Sequence, residues 1–335
     1  MNRNMKHWAA QLMAMPCKKP LPLLSFPCTQ LMHVTVAQLI SDSSLQAKGM
    51  QLVADRVASA AAVSLMDLSV EAEAFGSCIH VSEDEVPTVV GAIVSGEEDA
   101  DALAVPAVGA GRTGLCVAAV RTAAETITDR PVLAGIIGPY SLASRLMDVN
   151  ETMFYCYDAP EMVHTVLEKA AAFLIEYCRA FQKAGANGVV MAEPLAGILS
   201  PDLAREFSHP YVKKIIDAVQ TEDFCVIYHN CGNNAALMAP DIWQMGALGY
   251  HFGDAIDLPT VLSRAPKDVL VMGNISPAAE FCGGTPESIT RSTRELLARC
   301  GTYPNFVLSS GCDIPPHSPW ENIDAFFAAA KGECA

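Results

Sequence analysis

The 335-residue sequence has no unbroken apolar run of the roughly 18 residues that a bilayer-spanning helix needs. Its opening stretch, Met1–Pro20, carries basic side chains but no continuous apolar segment and no small-residue cleavage site, so it does not read as a secretory signal. A soluble, cytoplasmic protein is the expectation. Positive charge is scarce: 22 Lys and Arg face 37 Asp and Glu, a net charge of −15. Nucleic acid and anionic membrane surfaces attract basic proteins, so neither is expected as the main partner. There is no short internal repeat, no low-complexity tract and no long linker. No glycine-rich phosphate loop follows the first strand-like run, which removes support for a dinucleotide-binding open sheet.

What the sequence does have is apolar material and cysteine. Hydrophobic residues make up 51% of it and charged residues 18%, enough to bury a sizeable core. The 12 cysteines are spread along the chain rather than clustered as in a small disulfide scaffold. In a reducing compartment most read as small buried hydrophobes, with one or two left as metal ligands.

Short runs rich in Val, Ile and Leu alternate with helical patterns. The runs are Leu21–Cys28, Ala61–Asp67, Val132–Tyr140, Gly188–Glu193, Phe224–Asn230, Gly249–Gly253, Val269–Asn274 and Phe306–Ser310. Such runs fit strands buried on both faces of a parallel sheet. Between them, Ser200-Pro201, Thr285-Pro286 and Ser318-Pro319 each place a capping hydroxyl before a first-turn proline, and Ser318 with Glu321 forms a capping-box pattern. Asp158 reads as the start of a long helix that stops near Gly185. The stretch from Val81 to about Thr126, with the acidic patch Glu83, Asp84 and Glu85, reads as an insertion over a barrel mouth. The reading is therefore of class α/β: one (β/α)8 TIM barrel spanning 1–335, with an N-terminal extension and that insertion.

Chemistry in such a barrel gathers at the C-terminal ends of the strands. His229-Asn230-Cys231 ends the fifth predicted strand, and alternation along a strand turns His229 and Cys231 toward the same side. Cys312 follows the eighth. One imidazole and two thiolates suit zinc, and three protein ligands leave the fourth position that marks a catalytic site. Asp254, ending the sixth strand, is positioned to fill that place when substrate is absent. A His-x-Cys pair alone is weak, and most cysteines in such a chain belong to the core. Placement of all three residues at strand ends is what raises them above that reading.

The segments YHNCG (Tyr228–Gly232), GNISP (Gly273–Pro277), GTPESI (Gly284–Ile289) and SSGCDIPPHSPWENIDAF (Ser309–Phe326) resemble the uroporphyrinogen decarboxylase superfamily. GPYSLA (Gly138–Ala143) and AEPLAGILSP (Ala192–Pro201) fit as well, and the resemblance covers most of the chain from about residue 55. It looks nearest to the branch of corrinoid-linked methyltransferases, which the His-x-Cys…Cys set separates from the decarboxylases. Decarboxylation is disfavoured because Leu21–Gln30 holds no arginine for a polycarboxylate tetrapyrrole. The resemblance implies zinc on the barrel and cobalamin carried by a separate corrinoid protein that docks over the mouth. The small molecule at zinc is then either a thiol acceptor of the coenzyme M type or a methyl ether whose leaving oxygen the metal stabilises. The segment Met66–Val89 looks more like ether-cleaving O-demethylase enzymes, and no basic cluster marks a sulfonate site, although Arg112 or Arg145 could fold in, so demethylation of an O-methyl ether such as a methoxylated aromatic is the favoured expectation and the thiol acceptor the alternative.

Glu193 ends the fourth strand as a candidate catalytic acid or orienting group, with a structural acid as the equal alternative. Tyr140 and Asn274 are candidates to contact cofactor in the mouth, and Asp67 to shape the pocket. His251 reads as a satisfied, partly buried histidine and Cys28 as a pocket wall.

Overall fold

The computed structural model describes residues 3–332. Its strands are β1 (Ala62–Val63), β2 (Cys78–His80), β3 (Thr88–Val90), β4 (Val132–Ile137), β5 (Gly188–Ala192), β6 (Cys225–Asn230), β7 (Gly249–Phe252), β8 (Leu270–Ile275) and β9 (Phe306–Ser310). Seven of them form one parallel sheet in the order β1-β4-β5-β6-β7-β8-β9, with helices between successive strands. This is the curled α/β sheet of a TIM barrel. It matches seven of the eight predicted runs.

The eighth run, Leu21–Cys28, forms no ladder. Residues 21–25 run without helix or ladder through the gap between β9 and β1, a turn follows at Phe26-Pro27, and Cys28 opens the helix Cys28–Met32. The Leu21 amide donates to the Leu308 carbonyl at 2.8 Å, and the Ala60 amide donates to the Pro20 carbonyl at 2.7 Å. Pro20 and Pro22 have no N–H to give, so continuous pairing is impossible there. The segment nonetheless closes the barrel by packing. Leu21 and Leu23 join Val63, Leu133, Val190, Ile227, Leu270, Met272 and Val307 in the barrel interior.

The same interior cluster takes in Met5, Trp8 and Leu12 of the helix Met5–Ala14. This N-terminal extension plugs the end of the barrel opposite the catalytic one. Asn4 caps it by accepting from the His7 amide, and the Met5 amide donates to the Glu222 carbonyl just before β6. Residues of alternate parity, such as Val189, Met191, Val226, Tyr228 and Tyr250, face outward into the larger core beneath the helices.

Two helix boundaries differ from expectation. Asp158 closes the helix Val149–Asp158, and the long helix starts at Pro160, because proline favours the first helical turn. Ser318 caps nothing: its hydroxyl is buried without a hydrogen-bond partner ahead of the helix Trp320–Gly332. Ser200 and Thr285 do cap their helices. The insertion is the β2–β3 hairpin with the helix Glu97–Ala102, and its acidic turn Glu83–Glu85 is exposed. The expected insertion ran too far, since Thr113–Thr126 is a barrel helix packed on Ser43–Arg56. Arg112 fastens the insertion to the end of β1 through ion pairs with Asp67 and Glu73 and a 2.8 Å hydrogen bond to Ser69.

Trp8 seals the plugged end, so Trp8→Ala is expected to cost about 3 kcal/mol of stability, the usual scale for emptying a buried tryptophan site. Urea denaturation of the variant against the parent chain measures it.

Candidate metal centre

Alternation along β6 places Ile227 in the barrel interior, and His229, two residues on, shares its side at the top of the strand. Cys231 follows just beyond the strand, and Cys312 lies two residues past β9. Barrel curvature carries these two strand ends together across β7 and β8. The donor atoms of His229, Cys231 and Cys312 all lie within 4.8 Å of one another, the one such cluster of His, Cys, Asp or Glu among the described residues. Glycine permits the approach: a Cβ on Gly253 would come within 2.6 Å of Cys231 Cα, and one on Gly311 within 2.6 Å of the Asp254 amide nitrogen.

The spacing fits a tetrahedral zinc ion. Zn–N and Zn–S bonds of about 2.05 and 2.3 Å at tetrahedral angles separate nitrogen from sulfur by about 3.6 Å. His229 Nε2 and Cys312 Sγ stand 3.5 Å apart. The neighbouring Cys312 thiol lowers the pKa of Cys231, and Cys231, with burial, pushes Cys312 up to about 12. A divalent cation would displace the protons of both thiols. His229 is buried beneath, whereas both cysteines are half-buried, so the open side of the cluster faces away from the barrel core.

The other side of His229 is also occupied. Its Nδ1 lies 2.7 Å from Nδ1 of His251, whose Nε2 lies 2.8 Å from Ser309 Oγ. Burial and the neighbouring His229 ring hold His251 far below the usual histidine range, so it is neutral. His251 is thus fully buried and satisfied. Its link to His229 was missed from sequence, although the register pairs the two residues directly across β6 and β7. Asp313, beside Cys312, was missed as well. It is half-buried, accepts from Ser25 Oγ at 3.0 Å, and is pushed well above the usual carboxylate range by loss of solvent around its carboxyl.

The remaining predicted site residues lie elsewhere. Glu193 does not face the mouth. It sits in the outward parity of β5, and its carboxylate accepts from the amides of Ser141 at 2.5 Å and Tyr140 at 3.3 Å, at the N-terminus of the helix Pro139–Met147. The Tyr140 ring is buried in the outer core, with its hydroxyl 4.0 Å from Cys156 Sγ. Asn274 anchors the loop after β7 by donating to the Gly253 and Ile256 carbonyls at 2.8 and 2.7 Å. Asp254 is exposed, lies outside the three-donor cluster, and lines an open cavity with Asn274, Ser276 and Arg299. Asp67 and Arg112 are committed to each other. The buried thiol of Cys28 is raised to about 12 by burial.

Burial also raises Glu193 from its ordinary 4.5 to about 8. Folding therefore favours its protonated form, so its contribution is complete below about pH 4.5 and is lost as pH rises toward about 8. Denaturation midpoints of the parent chain are expected to fall across that window relative to Glu193→Gln, which cannot titrate.

Comparison with known proteins follows the same lines. The profile of the uroporphyrinogen decarboxylase (URO-D) family matches residues 25–332. The methylcobamide:CoM methyltransferase MtbA of Methanosarcina acetivorans is 27% identical over 272 residues, 79% of this chain and 77% of the relative. A uroporphyrinogen decarboxylase of Coxiella burnetii is 26% identical over 282 residues, 81% of this chain and 76% of the relative. Among solved structures, a methyltransferase from Methanosarcina mazei superposes with a TM-score of 0.88 at 24% identity, covering 99% of both chains. A B12-independent methionine synthase from Shewanella shares the fold at a TM-score of 0.58 and 13% identity, over 95% of this chain and 97% of that one. With the barrel, its closing segment and a family profile that runs nearly end to end, the chain belongs to the uroporphyrinogen decarboxylase (URO-D) family.

Proposed function

We propose that this chain is a corrinoid-linked methyltransferase that holds zinc through His229, Cys231 and Cys312 and passes a methyl group between a small molecule and the cobalamin of a corrinoid partner. The observation that carries the reading is the convergence of one imidazole and two thiols within 4.8 Å at the catalytic end of the barrel. When bound there, zinc supplies Lewis acidity that lowers the pKa of a small molecule's thiol or stabilises a leaving oxygen.

The chain's own residues do the rest. Two thiolates balance the charge of the ion, which tempers its acidity and suits a soft sulfur ligand. His229 holds it from below, and the half-buried side is left for substrate. Gly253 and Gly311 keep the strand ends close enough for three donors to meet. These features favour a thiol as methyl acceptor, as does the similarity to proteins named methylcobamide:CoM methyltransferase. Arg112 is spent on Asp67, Glu73 and Ser69, so it is not free to hold a sulfonate. The acceptor is accordingly proposed as a small thiol. Methyl-ether cleavage is the second reading, favoured by the resemblance of Met66–Val89 to the ether-cleaving enzymes. Decarboxylation has least support, since Leu21–Gln30 carries no arginine.

Purified protein should bind one zinc per chain and, with free methylcobalamin as surrogate donor, demethylate it in the presence of a small thiol, followed by the cobalamin absorbance. Cys231→Ala and Cys312→Ala should each lose more than about 100-fold in zinc affinity, beyond the range for groups that only support a ligand. Methylation of Co(I) cobalamin by a methoxylated aromatic, without thiol turnover, would favour the second reading. Turnover of a porphyrinogen by metal-free protein would overturn both.

A further inference from the structure

Behind His229 the hydrogen bonds have a direction that the Leu21 carbonyl determines. Ser309 Oγ lies 2.6 Å from the carbonyl oxygen of Leu21, on the segment that closes the barrel. A carbonyl only accepts, so the single hydroxyl proton of Ser309 is directed there. Ser309 Oγ then accepts from His251 Nε2 at 2.8 Å, which places the proton of that neutral ring on Nε2. His251 Nδ1 is left as an acceptor, and the proton in the 2.7 Å contact comes from His229 Nδ1. His229 Nε2 is therefore bare, and it is the atom 3.5 Å from Cys312 Sγ. In the opposite order, Ser309 would donate to His251 and leave two oxygens 2.6 Å apart with no proton between them. His229 would then carry its proton on the nitrogen aimed at the cysteines.

We propose that His251 and Ser309 are positioning residues that order protons from the Leu21 carbonyl to His229, fixing its Nδ1–H tautomer and presenting a bare Nε2 to the metal. Metal-bound histidines usually lean on a carboxylate, a carbonyl or water. A neutral imidazole in that place adds no charge, so the ion and two thiolates stay balanced. His251, Ser309 and Leu21 are all buried, so water does not compete for these bonds. The inference rests on the zinc reading for its purpose, but the proton order belongs to the chain itself and is measurable without metal.

Long-range proton–nitrogen NMR of metal-stripped protein labelled with 15N-histidine should show His251 protonated on Nε2 and His229 on Nδ1. Ser309→Ala should disturb that pattern. Competition against a chromophoric chelator should show His251→Leu binding zinc about 10- to 100-fold more weakly, the usual cost of losing such a partner. His251→Gln, whose side-chain carbonyl can accept from His229, should recover most of the loss. Thermal unfolding checks that both variants are folded. Protonation of His251 on Nδ1, an even mixture of tautomers, or parental zinc affinity in folded His251→Leu would overturn the inference. If the parent chain takes up no zinc, the proposed function fails, and the tautomer spectra still decide the relay; they also decide it if His251→Leu does not fold.

Discussion

Closure of the barrel at its one unladdered seam is the constraint on which the candidate centre depends. His229 and Cys312 are 83 residues apart in sequence and meet only because the curved sheet brings the ends of β6 and β9 together. On the far side of β9 the next element is the proline-bearing segment from Leu21, which cannot pair continuously. Side chains make up for the missing ladder: Ser309 Oγ bonds the Leu21 carbonyl, and Ser310 Oγ accepts from the Leu23 amide at 3.0 Å. The groups that close the seam therefore belong to the strand that delivers Cys312. One of them, Ser309, also ends the chain of hydrogen bonds behind His229. Closure and ligand geometry are one structural problem in this molecule.

Side-chain parity separates chemistry from support. Inward positions of the strands build an apolar column from the helix Met5–Ala14 upward, and the column ends in the polar layer of His229, His251 and Ser309. Outward positions at the same height hold Glu193 and Tyr228, which face helices. Glu193 illustrates the difference. An acid at a strand end of a barrel attracts a catalytic reading, yet one residue of register turns it to a helix N-terminus, where two backbone amides and the helix dipole account for it.

Much of this was legible in the sequence because parallel strands buried on both faces leave unmistakable apolar runs. The strand ends name His229, Cys231 and Cys312 as neighbours from the sequence alone. What stayed hidden depends on register and direction. Tyr140 and Asn274 were placed at the mouth by proximity to strand ends, but the first is turned into the outer core and the second is consumed by loop carbonyls. The bond between His229 and His251 required knowing that β6 and β7 pair those residues without offset. Leu21–Cys28 read as a strand because it is one of these short apolar runs, while its prolines, visible from the start, set how little it could pair.

X-ray absorption at the zinc edge of the loaded protein tests the central claim most directly. One nitrogen near 2.05 Å and two sulfurs near 2.3 Å are expected from the protein, with a fourth, lighter ligand that a small thiol replaces by a third sulfur. A shell of four protein ligands that no thiol or ether alters, or zinc held away from the cysteines, would contradict it.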